Sequence, residues 1–181
     1  MIRLRYATMP SNGGSRTSTG TIQTPPTPMA DTSTEPEVQL RMFSQPRFLA
    51  AVRALVGTMA QRLGFTEMQC GQISLAVDEA LCNVITHGYE RRPDGQLWIN
   101  FWALEGEPTG LKIVIEDLAT QVDPDDIQPR DLDDIRPGGL GVHIIREVMD
   151  EVNWERRSPK GMRLTMIKRL QPGRNSELKN E

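Results

Sequence analysis

Two stretches in the first half of the chain repeat apolar residues at the spacing of an amphipathic helix. In the first, apolar residues recur three or four positions apart across residues 48–63, and Gly64 follows as a residue suited to end a helix. The second begins at Thr66, which is followed by Gln69 in the pattern of a capping box, and runs to Gly88. The sequence therefore predicts two consecutive helices that each bury one face.

Five further stretches alternate apolar and polar residues or form short apolar runs, as β-strands do. They lie at residues 38–43, 96–104, 111–117, 152–157 and 162–170, and a third helix is expected at 140–148. The segment 123–137 holds six acidic residues and three prolines without an apolar period, so we expect a mobile loop there. Because the strands fall into hairpins and the helices into a group, this order predicts the α+β class. The expected fold is a two-layer α/β sandwich, with a mixed, mostly antiparallel sheet and helices on one face.

The two ends of the chain lack this pattern. Residues 1–36 are rich in Ser, Thr, Pro and Gly, and residues 172–181 are polar. We therefore expect a disordered extension and a polar tail around one domain at 37–171. The extension carries three arginines and no acid before Asp31, which is superficially similar to a transit peptide. The other interpretations are an unstructured extension, or an upstream start codon with Met29 as the working start in place of Met1.

Composition and charge narrow the class of protein. A chain of 181 residues with 38% hydrophobic residues is typical of one soluble domain. A net charge of −3 argues against direct nucleic-acid binding. Cys70 and Cys82 are too few for a disulfide framework or a thiolate zinc site, and no apolar run is long enough to span a membrane. These features predict a cytoplasmic protein with reduced thiols and no membrane association.

Three sequence features in the predicted domain suggest a nucleotide site. Glu79 and Asn83 are four residues apart on a predicted helix, so both side chains face the same side. Asp117 ends a predicted buried strand. Residues 136–145 form a glycine-rich turn that leads directly into a helix, where backbone N–H groups suit phosphate oxygens. Carboxylate and amide oxygens are ligands that Mg²⁺ accepts.

The three motifs, in this order, resemble those of the histidine-kinase-like ATPases, which share the Bergerat or GHKL fold. The branch that this chain resembles most is the anti-sigma-factor serine/threonine kinases, and the resemblance covers about residues 38–170. Glu79 and Asn83 match the family's Glu-x-x-x-Asn motif, followed by His87-Gly88-Tyr89. Asp117-Leu118-Ala119 matches the adenine motif in part, because Ala119 stands where the family usually has glycine. The final glycine motif is matched by Gly138-Gly139-Leu140-Gly141.

The resemblance implies a role for each matching residue. It implies that the protein uses ATP with Mg²⁺, with Asn83 as the Mg²⁺ ligand and Glu79 as the catalytic residue that orients or deprotonates an incoming hydroxyl. Asp117 would accept a hydrogen bond from the adenine amine. Ala119 and the residues Gly138, Gly139, Leu140 and Gly141 would line the nucleotide. The acidic loop would correspond to the family's lid over ATP.

The resemblance also implies a function and its partners. It implies an ATP-dependent protein serine/threonine kinase that binds a sigma factor, phosphorylates an anti-sigma-factor antagonist in a partner-switching pathway, and is a homodimer. A non-catalytic ATP-binding module that sequesters a protein partner is the alternative, and Ala119 favours it. A detached catalytic half of a histidine kinase is a third interpretation. The residues alone also allow simpler roles, with Glu79 as a solvated helix charge, Asp117 as a turn residue, and Arg156 and Arg157 as a solvated strand edge.

Overall fold

The computed structural model describes residues 3–4, 35–106, 109–127 and 140–170 of the chain. The strands are β1 (Arg3–Leu4), β2 (Val38–Phe43), β3 (Gln96–Leu104), β4 (Gly110–Asp117), β5 (Glu151–Arg156) and β6 (Met162–Arg169). The α-helices are α1 (Leu49–Arg62), α2 (Glu67–Asn83) and α3 (Gly141–Val148). A π-helical turn, Val84–Gly88, continues α2, and short 3₁₀ turns lie at Pro46–Phe48 and Pro124–Asp126. The predicted α+β class is confirmed.

The strands form one sheet in the order β1-β2-β3-β4-β6-β5, and each neighbouring pair in it is antiparallel. The expectation of a mixed sheet is therefore corrected for the described strands. Between β2 and β3 the chain passes through two helices, which return it to the end of the sheet where β2 finished. The chain passes from β4 to β5 through the single helix α3, and β5 runs parallel to β4. The two strands are not neighbours, because β6 lies between them. No parallel neighbours arise in the described sheet.

One face of the sheet packs against the helices. The alternating side chains Leu97, Ile99 and Phe101 of β3 are fully buried, and their neighbours on β4 are buried in the same layer. The helices bury apolar side chains against this layer, with Val56, Ile73, Val77, Ala80 and Leu81 in the same core. Full burial of one large aliphatic side chain contributes about 1.5–3 kcal/mol. This core fixes α2 across the sheet, and the candidate site lies along α2.

The ends of the helices follow local chemistry. Gly64 ends α1 with a φ of +94°. The capping box at the start of α2 is confirmed, since the Thr66 side chain accepts from the Gln69 N–H at 3.3 Å and the Thr66 N–H donates to Gln69 Oε1 at 2.9 Å. The other end of α2 differs from the prediction. The Tyr89 N–H donates to the Val84 oxygen at 2.8 Å, five residues back, so the last turn is wider than an α-helical turn.

Several predictions concern residues at the margins of the described ranges. Arg3–Leu4 pairs with Val38 and Gln39 at the edge of the sheet, whereas residues 5–34 and 171–181 lie outside the described residues. The predicted mobile loop begins with the 3₁₀ turn Pro124–Asp126, and 128–139 lie outside the described residues. Both described cysteines are free. Within the described ranges, no helix combines the length and apolarity needed to cross a bilayer.

Candidate functional site

Glu79 and Asn83 lie one turn apart on α2, both half-buried, and they face the start of α3. A Cβ atom placed on Gly141, the first residue of α3, would lie 2.7 Å from Glu79 Oε2 and 3.2 Å from Asn83 Nδ2. Glycine is therefore what allows the backbone of α3 to approach these two side chains. The preceding residue, Leu140, makes no side-chain cap to the helix. The N–H groups of the first turn and the helix dipole favour an anion at this position.

Asp117 ends β4 with its side chain buried, at 3% exposure. Its Oδ1 accepts the backbone N–H of Ala119 at 2.8 Å and that of Met162 at 3.1 Å. Among the described residues both bonds fall on Oδ1, which leaves Oδ2 to accept from a ligand. Burial raises the pKa of this carboxyl above its ordinary value, although the two N–H bonds and the nearby Arg157 act in the opposite direction. A buried acceptor with one free oxygen suits an amino group on a flat base.

Two side chains far away in the sequence hold the backbone beside Asp117. Arg157 Nη1 donates to the Asp117 carbonyl oxygen at 2.8 Å, and the Leu118 N–H donates to the Tyr89 hydroxyl at 2.8 Å. The expectation that Arg157 lies on a solvated edge is thereby corrected. The β5–β6 turn folds against the end of β4, so the guanidinium group also pairs with Glu116 at 3.3 Å and keeps 26% side-chain exposure. The contact between Tyr89 and Leu118 could not be predicted from the sequence. The only signal for Tyr89 there was its position six residues after Asn83, behind the Glu-x-x-x-Asn motif.

Two glycines, Gly161 and Gly88, lie against the turn that begins at Asp117, and a side chain at either position would overlap atoms of that turn. Gly161 has a φ of +90°, and a Cβ atom on it would overlap the Asp117 carbonyl oxygen and lie 2.7 Å from the carbonyl carbon. A Cβ on Gly88 would lie 2.9 Å from the methyl group of Ala119. The Ala119 methyl group is therefore directed at Gly88. Ala119 itself is 4% exposed, and its methyl group lies in the space that the missing side chain of Gly88 leaves on the helix side.

The two halves of the site lie along one helical surface. The contact with Gly141 is made by Glu79 and Asn83, and the contact with Ala119 is made further along by Gly88. Seven residues of helix separate the middle of the first pair from Gly88, which corresponds to about 10 Å. This separation suits an extended nucleoside triphosphate, with its base near Asp117 and its phosphates near α3.

Five of the predicted site residues lie in two groups. Glu79, Asn83 and Gly141 come together at the start of α3, and Asp117 and Ala119 come together at the end of β4. Leu140 is 57% exposed at the start of α3. Gly138 and Gly139 lie outside the described residues, so their predicted contacts with phosphate stay predictions.

The donor atoms fit a magnesium ion that is carried largely by phosphates. In the described part of the chain, no three His, Cys, Asp or Glu side chains are placed to hold a metal ion together. The Asn83 amide and the Glu79 carboxylate offer hard oxygen donors at the phosphate end. Mg²⁺ in nucleotide sites takes one or two protein oxygens and completes its shell with phosphate and water. The residues present are compatible with that arrangement.

Comparison with known proteins agrees with the fold and the arrangement of the motifs. The family model described as "Histidine kinase-like ATPase domain" matches residues 42–168. The serine-protein kinase RsbW of Halalkalibacterium halodurans is 31% identical over 146 residues, which cover 76% of this chain and 86% of that protein. RsbW of Bacillus subtilis is 27% identical over 141 residues, which cover 74% of this chain and 85% of that protein. The solved RsbU and RsbW domains of Rv1364c from Mycobacterium tuberculosis align at a TM-score of 0.49 and 16% identity, over 72% of this chain and 31% of that one.

The chain thus belongs to the histidine kinase-like ATPase family. Within that family it belongs to the serine/threonine kinase branch with anti-sigma-factor members, and it is a protein kinase.

Proposed function

We propose that this protein is an ATP-dependent serine/threonine kinase that phosphorylates a small anti-sigma-factor antagonist and also binds a sigma factor. The observation that carries the proposal is the close approach of the start of α3, at Gly141, to Glu79 and Asn83. This contact brings an acid, an amide and the N-terminus of α3 together. These are the groups needed to hold phosphates and to receive a proton from an attacking hydroxyl.

Four residues of the candidate site have distinct roles in the proposed reaction. The Asp117 carboxylate holds the exocyclic amine of adenine, which orients the nucleotide along α2. Glu79 orients the acceptor's serine or threonine hydroxyl and takes its proton as the oxygen bonds to the γ-phosphorus. The bond between that phosphorus and the oxygen bridging it to the β-phosphate breaks at the same time, and ADP leaves with the electron pair. Asn83 holds the magnesium ion, which supplies charge neutralisation on the phosphates when bound. Gly141 keeps the backbone of α3 close enough to exclude water from this end.

Two substitutions test the division of work between binding and transfer. Glu79→Gln keeps the shape of the side chain and removes the base, so it should retain ATP binding and lose ~10²–10⁴-fold in transfer rate. Asn83→Ala removes a magnesium ligand, so Mg²⁺-dependent ATP affinity and transfer should fall together. Glu67→Gln makes the same chemical change as Glu79→Gln in the exposed first turn of the same helix, and it should change neither property.

The assay is radiolabelled phosphate transfer to a candidate antagonist protein, with ATP binding measured in parallel by calorimetry. Undiminished transfer in Glu79→Gln would remove Glu79 from the role of base. Transfer lost equally in Glu67→Gln would mean that negative charge anywhere on the helix is what matters.

A second function, a non-catalytic ATP-binding module that sequesters a partner, is favoured by one observation. Ala119 replaces the glycine usual at this position of the family's adenine motif. The direction of its methyl group, toward Gly88, supports a base site that still accepts ATP. The same assay separates the two functions, because the module would bind ATP and transfer no phosphate to any antagonist.

The proposed regulation is an exchange of partners. The sigma factor and the antagonist would compete for one kinase, and the bound nucleotide and the phosphorylation of the antagonist would decide which is held. Action on a sigma factor places the protein in the cytoplasm, and we propose a homodimer as its working form. Light scattering of the purified chain, alone and with each partner, measures the assembly directly. A monomer at every concentration that supports transfer would exclude the dimer.

A further inference from the structure

The turn formed by Asp117, Leu118 and Ala119 is held by a hydrogen bond at each of its three residues. The Asp117 carbonyl oxygen accepts from Arg157 at 2.8 Å, the Leu118 N–H donates to the Tyr89 hydroxyl at 2.8 Å, and the Ala119 N–H donates to Asp117 Oδ1 at 2.8 Å. Two of these partners come from elsewhere in the chain. The position of the turn relative to the helices is therefore set by Tyr89 on one side and by Arg157 on the other.

Tyr89 is itself fixed in place. Its side chain is buried, at 3% exposure, and its hydroxyl donates to the Gln96 carbonyl oxygen at 2.6 Å. Its ring packs so closely on Gly95 that a Cβ atom there would lie 2.5 Å from the ring carbons. The hydroxyl proton is already committed to Gln96, so the oxygen acts as an acceptor toward Leu118. A shift of the ring would break both bonds together.

Leu118 has little packing of its own to hold the turn. Its residue exposure is 37%, so its side chain does not anchor the backbone in the core. The hydrogen bond from its N–H to Tyr89 replaces that anchor. Because Asp117 precedes Leu118 directly, a shift of this backbone would carry the carboxylate with it. Recognition of a base by a single acceptor is sensitive to displacements of a fraction of an ångström.

We infer that Tyr89 is a positioning residue for base recognition: its hydroxyl fixes the Leu118 N–H and thereby the direction of the free oxygen of Asp117. The inference rests on the proposed function, because it takes adenine as the group that Asp117 meets. It adds a residue from the turn after α2 to the selection of ATP over GTP. Tyr89 touches neither the phosphates nor the acceptor hydroxyl in this scheme, so its effect should be confined to the base.

Tyr89→Phe tests the inference with one atom removed. The ring still fills the space against Gly95, while the Leu118 N–H and the Gln96 carbonyl oxygen lose their partner. Calorimetric titration would compare ATP, GTP and inorganic tripolyphosphate, each with Mg²⁺. We expect ATP affinity to fall about tenfold, the scale of one lost hydrogen bond. Affinity for tripolyphosphate, which has no base, should not change, and the preference for ATP over GTP should fall with ATP affinity.

The control is Thr66→Ala, which removes the capping box at the opposite end of α2, about 25 Å away along the helix. It lowers stability without touching the base turn, so all three affinities should stay at their original values at a temperature where the variant is folded. If Tyr89→Phe does not fold, Arg157→Gln loosens the same turn from the partly exposed side. It should lower the preference for ATP over GTP in the same direction.

Two results would overturn the role of Tyr89. One is an unchanged preference for ATP over GTP in the folded variant, and the other is an equal loss of ATP and tripolyphosphate affinity. Failure of the unsubstituted protein to bind ATP is a separate outcome. It would refute the proposed function and this inference with it.

Discussion

The contact between Gly88 and Ala119 gives a quantitative test of how the base turn packs on the helix layer. A Cβ atom on Gly88 would lie 2.9 Å from the Ala119 methyl carbon, well inside the ordinary separation of two carbon atoms. Neither group has a flexible end that could swing aside. Gly88→Ala should therefore push Ala119 and the base turn away from α2, at a cost of about 1–3 kcal/mol for overpacking.

Gly88→Ala also has a stabilising effect on the helix, which must be measured separately from the cost of overpacking. Replacing glycine by alanine within a helical turn stabilises it by about 0.8–1 kcal/mol. Gly71→Ala on α2 measures this gain alone, because a Cβ atom on Gly71 meets nothing within 4 Å. Adding Ala119→Gly to Gly88→Ala removes the overlapping methyl group and keeps the helix gain. The double-mutant cycle of Gly88 and Ala119 thus isolates the steric term as a coupling of about 1–3 kcal/mol.

The assay is urea unfolding of the four proteins of the cycle, with ATP affinity measured on each. Gly88→Ala alone should weaken ATP binding as the base turn shifts, and the double variant should recover it. In a parallel thermal unfolding experiment, each kcal/mol of destabilisation would lower the melting temperature by roughly 3–5 °C in a domain of this size. Additivity of the two changes within about 0.5 kcal/mol would refute the contact. So would ATP binding in Gly88→Ala equal to that of the parent.

Three further predictions concern Asp117 and its neighbours. Asp117→Asn keeps an oxygen for the Ala119 and Met162 N–H groups but presents a donor to the base, so calorimetry should show that ATP binding is lost. Burial raises the pKa of the folded Asp117 carboxyl, so the folded state holds this proton more tightly than the unfolded state. The gain in unfolding free energy of Asp117→Asn over the parent, measured by urea unfolding, should therefore be largest above the raised pKa. It should shrink as the pH falls through that pKa. A gain that grows toward low pH would contradict the burial effect. Gly161→Ala should destabilise the domain by about 1–3 kcal/mol in urea unfolding, because of its positive φ and the overlap with the Asp117 carbonyl, and unchanged stability would show that the β5–β6 turn yields freely.

The sequence by itself determined the helices, the strands and part of the site. The capping box at Thr66, the end of α1 at Gly64 and the bounds of β2 and β3 follow from short-range patterns, because capping and alternation depend on residues a few positions apart. The facing of Glu79 and Asn83 has the same origin, since one helical turn separates them. The family motifs added the order in which these residues meet a nucleotide.

Only the tertiary structure decided how these elements meet. The position of β6 between β4 and β5 determines that the neighbouring strands are antiparallel, and local patterns say nothing of strand order. Arg157 reaches the Asp117 carbonyl from 40 residues away, and its sequence neighbourhood looks like a solvated edge.

The π-helical turn after Asn83 and the fit of Ala119 against Gly88 also depend on contacts between separate elements. The Tyr89 hydroxyl forms hydrogen bonds with the Gln96 carbonyl oxygen and the Leu118 N–H. These bonds form only when the turn after α2 packs on the sheet. Local patterns place each of these residues on its element. Distances between atoms far apart in the chain decide which of them touch, and long-range packing sets those distances.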